Sequence, residues 1–234
     1  MHLLRLRVRS DMFPVRDAYP FSLGILQGEP ILEFSSPIAC FHGENGSGKS
    51  TLLMAMARAC GLYICRDDCL HRLDPNRYED GLQYHLDLEW REGPVPGSYF
   101  GSDIFRDFAR ILEERAVADP GQLAAFGGHS LLNLSHGQSL MSYFRARYAI
   151  EGIYFLDEPE TGLSPSSQLE LAEVLRAAAG SGRAQFFIAS HSPFILSMPE
   201  AELWCFDKAP LARLPYRESR NSALYSALFS RAAG

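Results

Sequence analysis

The sequence predicts an α/β fold with a mixed β core, on three observations. An apolar strand, Ile38-Ala39-Cys40-Phe41, leads into the glycine-rich stretch GENGSGKST (43–51), and an apolar helical run (52–57) follows it. From residue 150 onward, continuous apolar runs of strand length alternate with capped helical segments, the pattern of strands buried on both faces. The 234 residues, 47 % hydrophobic and 21 % charged, are enough for one large core or a two-lobed one.

Bulk properties narrow the functional classes. The 22 basic and 28 acidic residues leave a net charge of −6, which does not advertise nucleic-acid binding, although a local basic patch stays open. No apolar run approaches the about 18–20 residues of a membrane span. The start, MHLLRLRVRS, alternates Leu4, Leu6 and Val8 with Arg5, Arg7 and Arg9, which reads as a half-exposed strand rather than a signal peptide, so a cytoplasmic location is expected. Five cysteines, an odd count, suit a reducing compartment. Cys60, Cys65, Cys69 and His71 lie close together, but their spacing matches no common zinc pattern, and they read as buried or incidental thiols.

Taken in order, residues 1–42 read as strands and turns, with Tyr19-Pro20-Phe21 before a loop holding Gly24, Gly28 and Pro30, and a strand at 31–34. The helix after the glycine-rich stretch is expected over about 49–60, closed by Gly61 at C′. Leu82, Tyr84, Leu86, Leu88 and Trp90 alternate with Gln83, His85, Asp87 and Glu89, which predicts a strand over 82–90. Ser102 is expected to cap a helix with the apolar stripe Ile104, Phe105, Phe108, Ile111 and Leu112. Further on, the predicted elements are a strand at 153–156, a helix from Ser164-Pro165 to near Gly180, a strand at 184–189, a short helix at 192–198 and a strand at 203–206. A terminal helix carries Leu224, Tyr225, Leu228 and Phe229 on one face.

Four segments carry chemistry. Gly43, four residues, then Gly48-Lys49-Ser50 is the P-loop spacing, in which glycines let backbone N–H groups turn inward around phosphate oxygens at a helix N-terminus. Lys49 then suits the β- and γ-phosphates, and the Ser50 hydroxyl suits Mg²⁺. In IYFLDEPE (153–160) an apolar strand ends in two carboxylates. Asp157 suits Mg²⁺ through water and Glu158 suits a water attacking a γ-phosphate; a strand-end turn with solvated acids is the plain alternative. LSHGQS (134–139) places a hydroxyl and bare N–H groups before a helix expected over 139–149, for an anion or simply as a cap. FFIASHSP (186–193) puts His191 directly after a buried strand, where a lone histidine is more often structural.

In this order the four segments resemble the ATP-binding-cassette (ABC) ATPases, over nearly the whole chain. LSHGQ is similar to their LSGGQ signature with His136 replacing the first glycine, and His191 to their switch histidine. YPFSL (19–23), DEPETGLSP (157–165) and ASHSPFIL (189–196) look most like the small stand-alone ATPases labelled AAA-family, related to the heads of chromosome-maintenance (SMC) and DNA-repair ATPases. Transporter subunits more often have Thr and Asp where this chain has Glu160 and Ser192.

The resemblance implies a two-lobed P-loop NTPase fold, with a nucleotide-binding lobe over 1–61 and 150–234 and an inserted signature lobe over about 62–149. It implies ATP and Mg²⁺ as cofactors and ATP hydrolysis with Glu158, His191 and Lys49 as catalytic residues. Ser50 and Asp157 would hold the metal. Nucleotide contacts would come from Gly43, Glu44, Asn45, Gly46, Ser47, Gly48, Lys49, Ser50 and Thr51, and from Ser135, Gly137 and Gln138 of the signature. One P-loop and one signature per chain imply an ATP-dependent homodimer that acts as a switch on an unidentified protein or nucleic-acid partner. A nucleotide-binding subunit of an ABC transporter and a DNA-associated, nucleotide-dependent interaction module are the alternatives. The chain departs from the pattern at Ser164, where many relatives have Asp. Gln83 is a tolerable but unconvincing Q-loop glutamine, and Tyr19 or Phe21 suits adenine stacking no better than the core.

Overall fold

The computed structural model describes residues 1–64, 76–119, 121–124, 126, 128 and 130–232, so Cys65, Cys69 and His71 lie outside the described residues. The chain runs β1 (Leu3–Val8), β2 (Ile31–Glu33), β3 (Ile38–His42), α1 (Lys49–Ala59), β4 (Leu86–Trp90), β5 (Gly97–Gly101), α2 (Phe105–Ala118) and α3 (Gly121–Ala124). It continues with α4 (His136–Tyr148), β6 (Gly152–Asp157), α5 (Pro165–Gly180), β7 (Ala184–Ala189), α6 (Pro193–Leu196), β8 (Ala201–Cys205), β9 (Ala212–Arg213) and α7 (Arg220–Ala232).

Continuous apolar strands need cover on both faces, and the main sheet provides it. Its order is β5-β6-β7-β3-β8-β9, parallel except for β9. Alternate side chains divide between two cores, as the pleat requires. Ile38, Cys40, Tyr154, Leu156, Phe186 and Ile188 face α2, α4 and α5. Ala39, Phe41, Ile153, Phe155, Phe187 and Ala189 face α1 and a second, antiparallel sheet ordered β2-β1-β4. β4 and β5 thus draw two strands of the 62–149 stretch into the sheets, and α2 to α4 form its helical part.

Local signals set most element ends. α1 closes with Gly61 at φ +76, where its N–H donates to Arg58 O (2.8 Å) and that of Leu62 donates to Ala57 O (3.1 Å), the paired bonds of a Schellman cap. Ser164 caps α5, its hydroxyl accepting from Ser167 N, with Pro165 in the first turn. Two expectations fail. The strand over 82–90 begins only at Leu86, because Gly81–His85 is a 3₁₀ segment. Three residues per turn send Leu82 and His85 inward and leave Tyr84 81 % exposed, which no single strand face allows. Ser102 caps no helix: α2 starts at Phe105, and the Ser102 N–H instead extends the sheet edge by donating to Asp157 O (3.4 Å). The terminal helix forms as expected, with Leu224, Leu228 and Phe229 facing outward. Among the described residues no helix is long and apolar enough to cross a membrane.

The two sheets are pinned together by a fully buried amide. Gln185 Oε1 accepts from His2 N (2.7 Å) and Leu3 N (2.8 Å), and its Nε2 donates to Leu3 O (2.9 Å). Gln185→Leu would strand these backbone groups, and a loss on the order of 2–4 kcal/mol is expected. The check is a shift in urea midpoint at unchanged slope.

Candidate nucleotide site

Parallel register brings the strand ends together. Phe41 pairs with Ala189, and Ala189 with Asp157, so the segments leaving β3, β7 and β6 emerge side by side. Residues 43–51 leave β3 as a tight loop with Gly43, Gly46 and Gly48 at φ +156, +78 and +100. Gly48 stands at the N-cap of α1, where a Cβ would press on Leu23 Cδ1 (3.0 Å) and Ile25 Cδ1 (3.1 Å), so only glycine serves there. The loop's N–H groups and the helix N-terminus form a concavity suited to an anion.

Lys49 is buried within this loop. Its Nζ donates to Gly43 O (2.7 Å) and Glu44 O (2.9 Å), and burial lowers its pKa against the opposing pull of Glu158 and Asp157. Next in sequence, Ser50 Oγ donates to Asp157 Oδ1 (2.7 Å), while Tyr99 OH donates to Asp157 Oδ2 (3.0 Å). Burial raises the Asp157 pKa and these two hydrogen bonds oppose the rise. Glu158 follows at φ +48, a left-handed conformation that costs a non-glycine residue on the order of 1–3 kcal/mol. Its N–H donates to Ala189 O (2.9 Å), and the turn brings its side chain to a cavity of about 250 Å³ shared with Lys49, Ser50 and Thr51. Glu160 reaches the next segment: its Oε1 accepts from His191 N (2.6 Å) and Ser192 N (3.1 Å). His191 Nε2 is buried without a hydrogen-bond partner.

Comparison with known proteins agrees with this assembly. Residues 137–197 match a family model described as "AAA domain, putative AbiEii toxin, Type IV TA system", and residues 22–69 match one described as "AAA domain". The hemin import ATP-binding protein HmuV of Rhodopseudomonas palustris (strain BisB5) is 29 % identical over 157 residues, 60 % of this chain and 59 % of that protein's length. Among solved structures, CbiO1 of Clostridium perfringens, part of the ABC transporter complex CbiONQ, aligns at TM-score 0.54 and 14 % identity over 97 % of this chain and 96 % of its own. An SMC head bound to the C-winged helix domain of ScpA aligns at 0.52 and 10 % identity over 93 % and 99 %. The chain has the fold of these ABC-type ATPases, and its partial sequence matches point to the same class.

Within this fold the structure brings residues 43–51, Asp157, Glu158 and His191 to one edge of the sheet, while Ser135, Gly137 and Gln138 do not line the cavity there. Ser135 caps α4 in a reciprocal box with Gln138, so the helix begins at His136 rather than 139. Ser135 and Gln138 are exposed, and the His136 ring lies over Gly162, where any Cβ would collide with it. Phe21 is fully buried among Phe13, Tyr78 and His85, which removes it as an adenine platform. Tyr19 stays half exposed beside the loop, its hydroxyl 2.6 Å from Thr51 Oγ1. Gln83 bonds Asp80 O in the 3₁₀ segment, toward the C-terminal end of α1 and away from Asp157.

Two contributors had no readable signal. Tyr99 is an ordinary strand aromatic until β5 pairs with β6, and Glu160 marks only a family preference until its carboxylate meets residues 191 and 192. Glu160→Ala would leave the His191 N–H unpaired, while Ser192 N keeps Ser190 Oγ (3.0 Å), for an expected loss of about 1–3 kcal/mol. Glu160→Gln, which keeps an acceptor, should recover most of it, as read by chemical denaturation.

Proposed function

We propose that this chain binds and hydrolyses ATP, and that ATP closes it into a homodimer that hydrolysis reopens. The observation that carries this reading is the pairing of Ser50 Oγ with Asp157 Oδ1 beside a cavity lined by Lys49 and Glu158. A hydroxyl and a carboxylate are hard oxygen donors and fit Mg²⁺. A cation bound there would supply positive charge against the phosphates of ATP. Ser50 and Asp157 would hold it. Lys49 would exchange its two loop carbonyls for phosphate oxygens. Glu158, aimed by its left-handed turn, would orient the attacking water and take its proton. His191, held at its backbone by Glu160, would offer its partnerless Nε2 to the γ-phosphate.

The exposed Ser135 and Gln138, with the half-buried Gly137 between them, would complete the site of a second copy, giving a C₂ pair with two ATP molecules at the interface. The nucleotide-binding lobe would span 1–61 and 150–234, and the 62–149 stretch, through α2 to α4, would present the signature to the partner. Identity to HmuV favours a second reading, a transporter subunit. Recovery of the native protein with an integral membrane partner would establish that reading against a stand-alone ATPase.

Lys49→Ala should weaken ATP binding at least a hundredfold in calorimetry, since the phosphates lose the buried cation that faces them. Undiminished affinity would remove the P-loop from this account. Glu158→Gln should keep ATP binding, abolish phosphate release and accumulate a dimer in Mg-ATP but not in ADP, seen by light scattering. A variant that stays monomeric at saturating Mg-ATP would exclude the sandwich.

A further inference from the structure

A second group of ligating side chains lies at the root of the P-loop, on the side away from Asp157. His42 ends β3 and pairs in parallel register with Cys205, the last residue of β8. Asp207 follows two positions later, and Phe206 N donates to His42 O (2.8 Å), which holds the two strand ends together. One nitrogen of His42, the Cys205 sulfur and one Asp207 oxygen all lie within 4.8 Å of one another. Among the described residues no other three such side chains converge in this way.

We propose that His42, Cys205 and Asp207 form a binding site for a borderline-soft transition-metal dication of the Zn²⁺ class. The donor set decides the class: imidazole, thiolate and carboxylate together suit Zn²⁺ or Co²⁺, whereas Mg²⁺ and Ca²⁺ take oxygen. His42 is 2 % exposed and its Nε2 has no hydrogen-bond partner, so this is a buried polar ring that the protein leaves unsatisfied. A tetrahedral ion with bonds of about 2.0–2.3 Å spaces its donors about 3.5 Å apart, so closure needs side-chain movements of roughly an ångström.

The strands set the three backbone positions, and Cys205 and Asp207 are the side chains with room to close. Three protein ligands leave a coordination position open toward a cavity of about 930 Å³ bounded by Asn45, Gly46, Ser47 and Arg220. Asp207 Oδ1 already accepts from Glu44 N (2.6 Å), so the carboxylate that binds metal is also a tether on the P-loop. Metal at this site would therefore restrain the first turn of the loop.

The test uses the full chain without nucleotide and Co²⁺ as the probe, so its outcome is independent of the ATP reading. The wild-type protein should bind one equivalent with a near-ultraviolet thiolate-to-cobalt charge-transfer band and tetrahedral visible bands, both bleached by Zn²⁺. Cys205→Ser should lose the charge-transfer band, and Asp207→Asn should weaken Co²⁺ binding at least tenfold. Both changes lie near the surface, and unchanged circular dichroism would verify that the variants fold. A wild-type protein without the thiolate band, or a Cys205→Ser variant that keeps it, overturns the proposal, the latter by moving the metal to other cysteines.

Discussion

Phe41, Ala189 and Asp157 lie in one row across three parallel strands, and the candidate site follows from that row. Strands about 4.8 Å apart deliver their next residues within reach of one another. His42, Ser190 and Glu158 are those next residues, and the loop from Gly43, His191 and the paired acids open from them. A one-residue slip of β6 would turn Asp157 to the other face and send Phe155 and Tyr154 into the wrong cores. The two aromatic cores that lock the register are therefore what hold the polar edge in place.

Several strained or buried polar groups are stabilised from neighbouring elements at that edge. Asp157 is partly buried, and its carboxylate receives one hydroxyl from α1 and one from β5, so three elements meet on it. Glu158 holds a left-handed turn because its N–H remains in the sheet ladder at Ala189. Glu160 caps the two N–H groups that open α6, which fixes the backbone of His191 and leaves its ring free to act. Removing any one supporting group leaves a buried partner unpaired, the expensive direction of the hydrogen-bond balance.

His136, at the start of α4, lies against Gly162 in the acidic turn. His136 occupies space that any side chain at Gly162 would claim, and Gly162 at φ +83 sits in the turn that follows Glu158 to Thr161. The signature helix and the acidic turn are thereby packed on each other within one chain. A change in either surface is felt by the other through direct contact, with no intervening residue.

The sequence by itself determined the class of fold, the P-loop with its helix, the three buried strands, the Ser164-Pro165 helix start and the order of the chemical segments. These rest on local signals: uninterrupted apolar runs, glycine at fixed spacing, and caps that bond within three residues. It misread 82–85, where alternation is equally compatible with a 3₁₀ segment that buries Leu82 and turns His85 against Phe21, and Ser102, which stands in the turn before α2 rather than at its N-cap. Only the tertiary structure selected Tyr99 over Gln83 as the neighbour of Asp157, buried Phe21, engaged Glu160 with residues 191 and 192, and joined His42 to Cys205 and Asp207. Each of those facts depends on which strands become neighbours. Strand order is decided by burial summed over two whole faces, and no local stretch of sequence contains it.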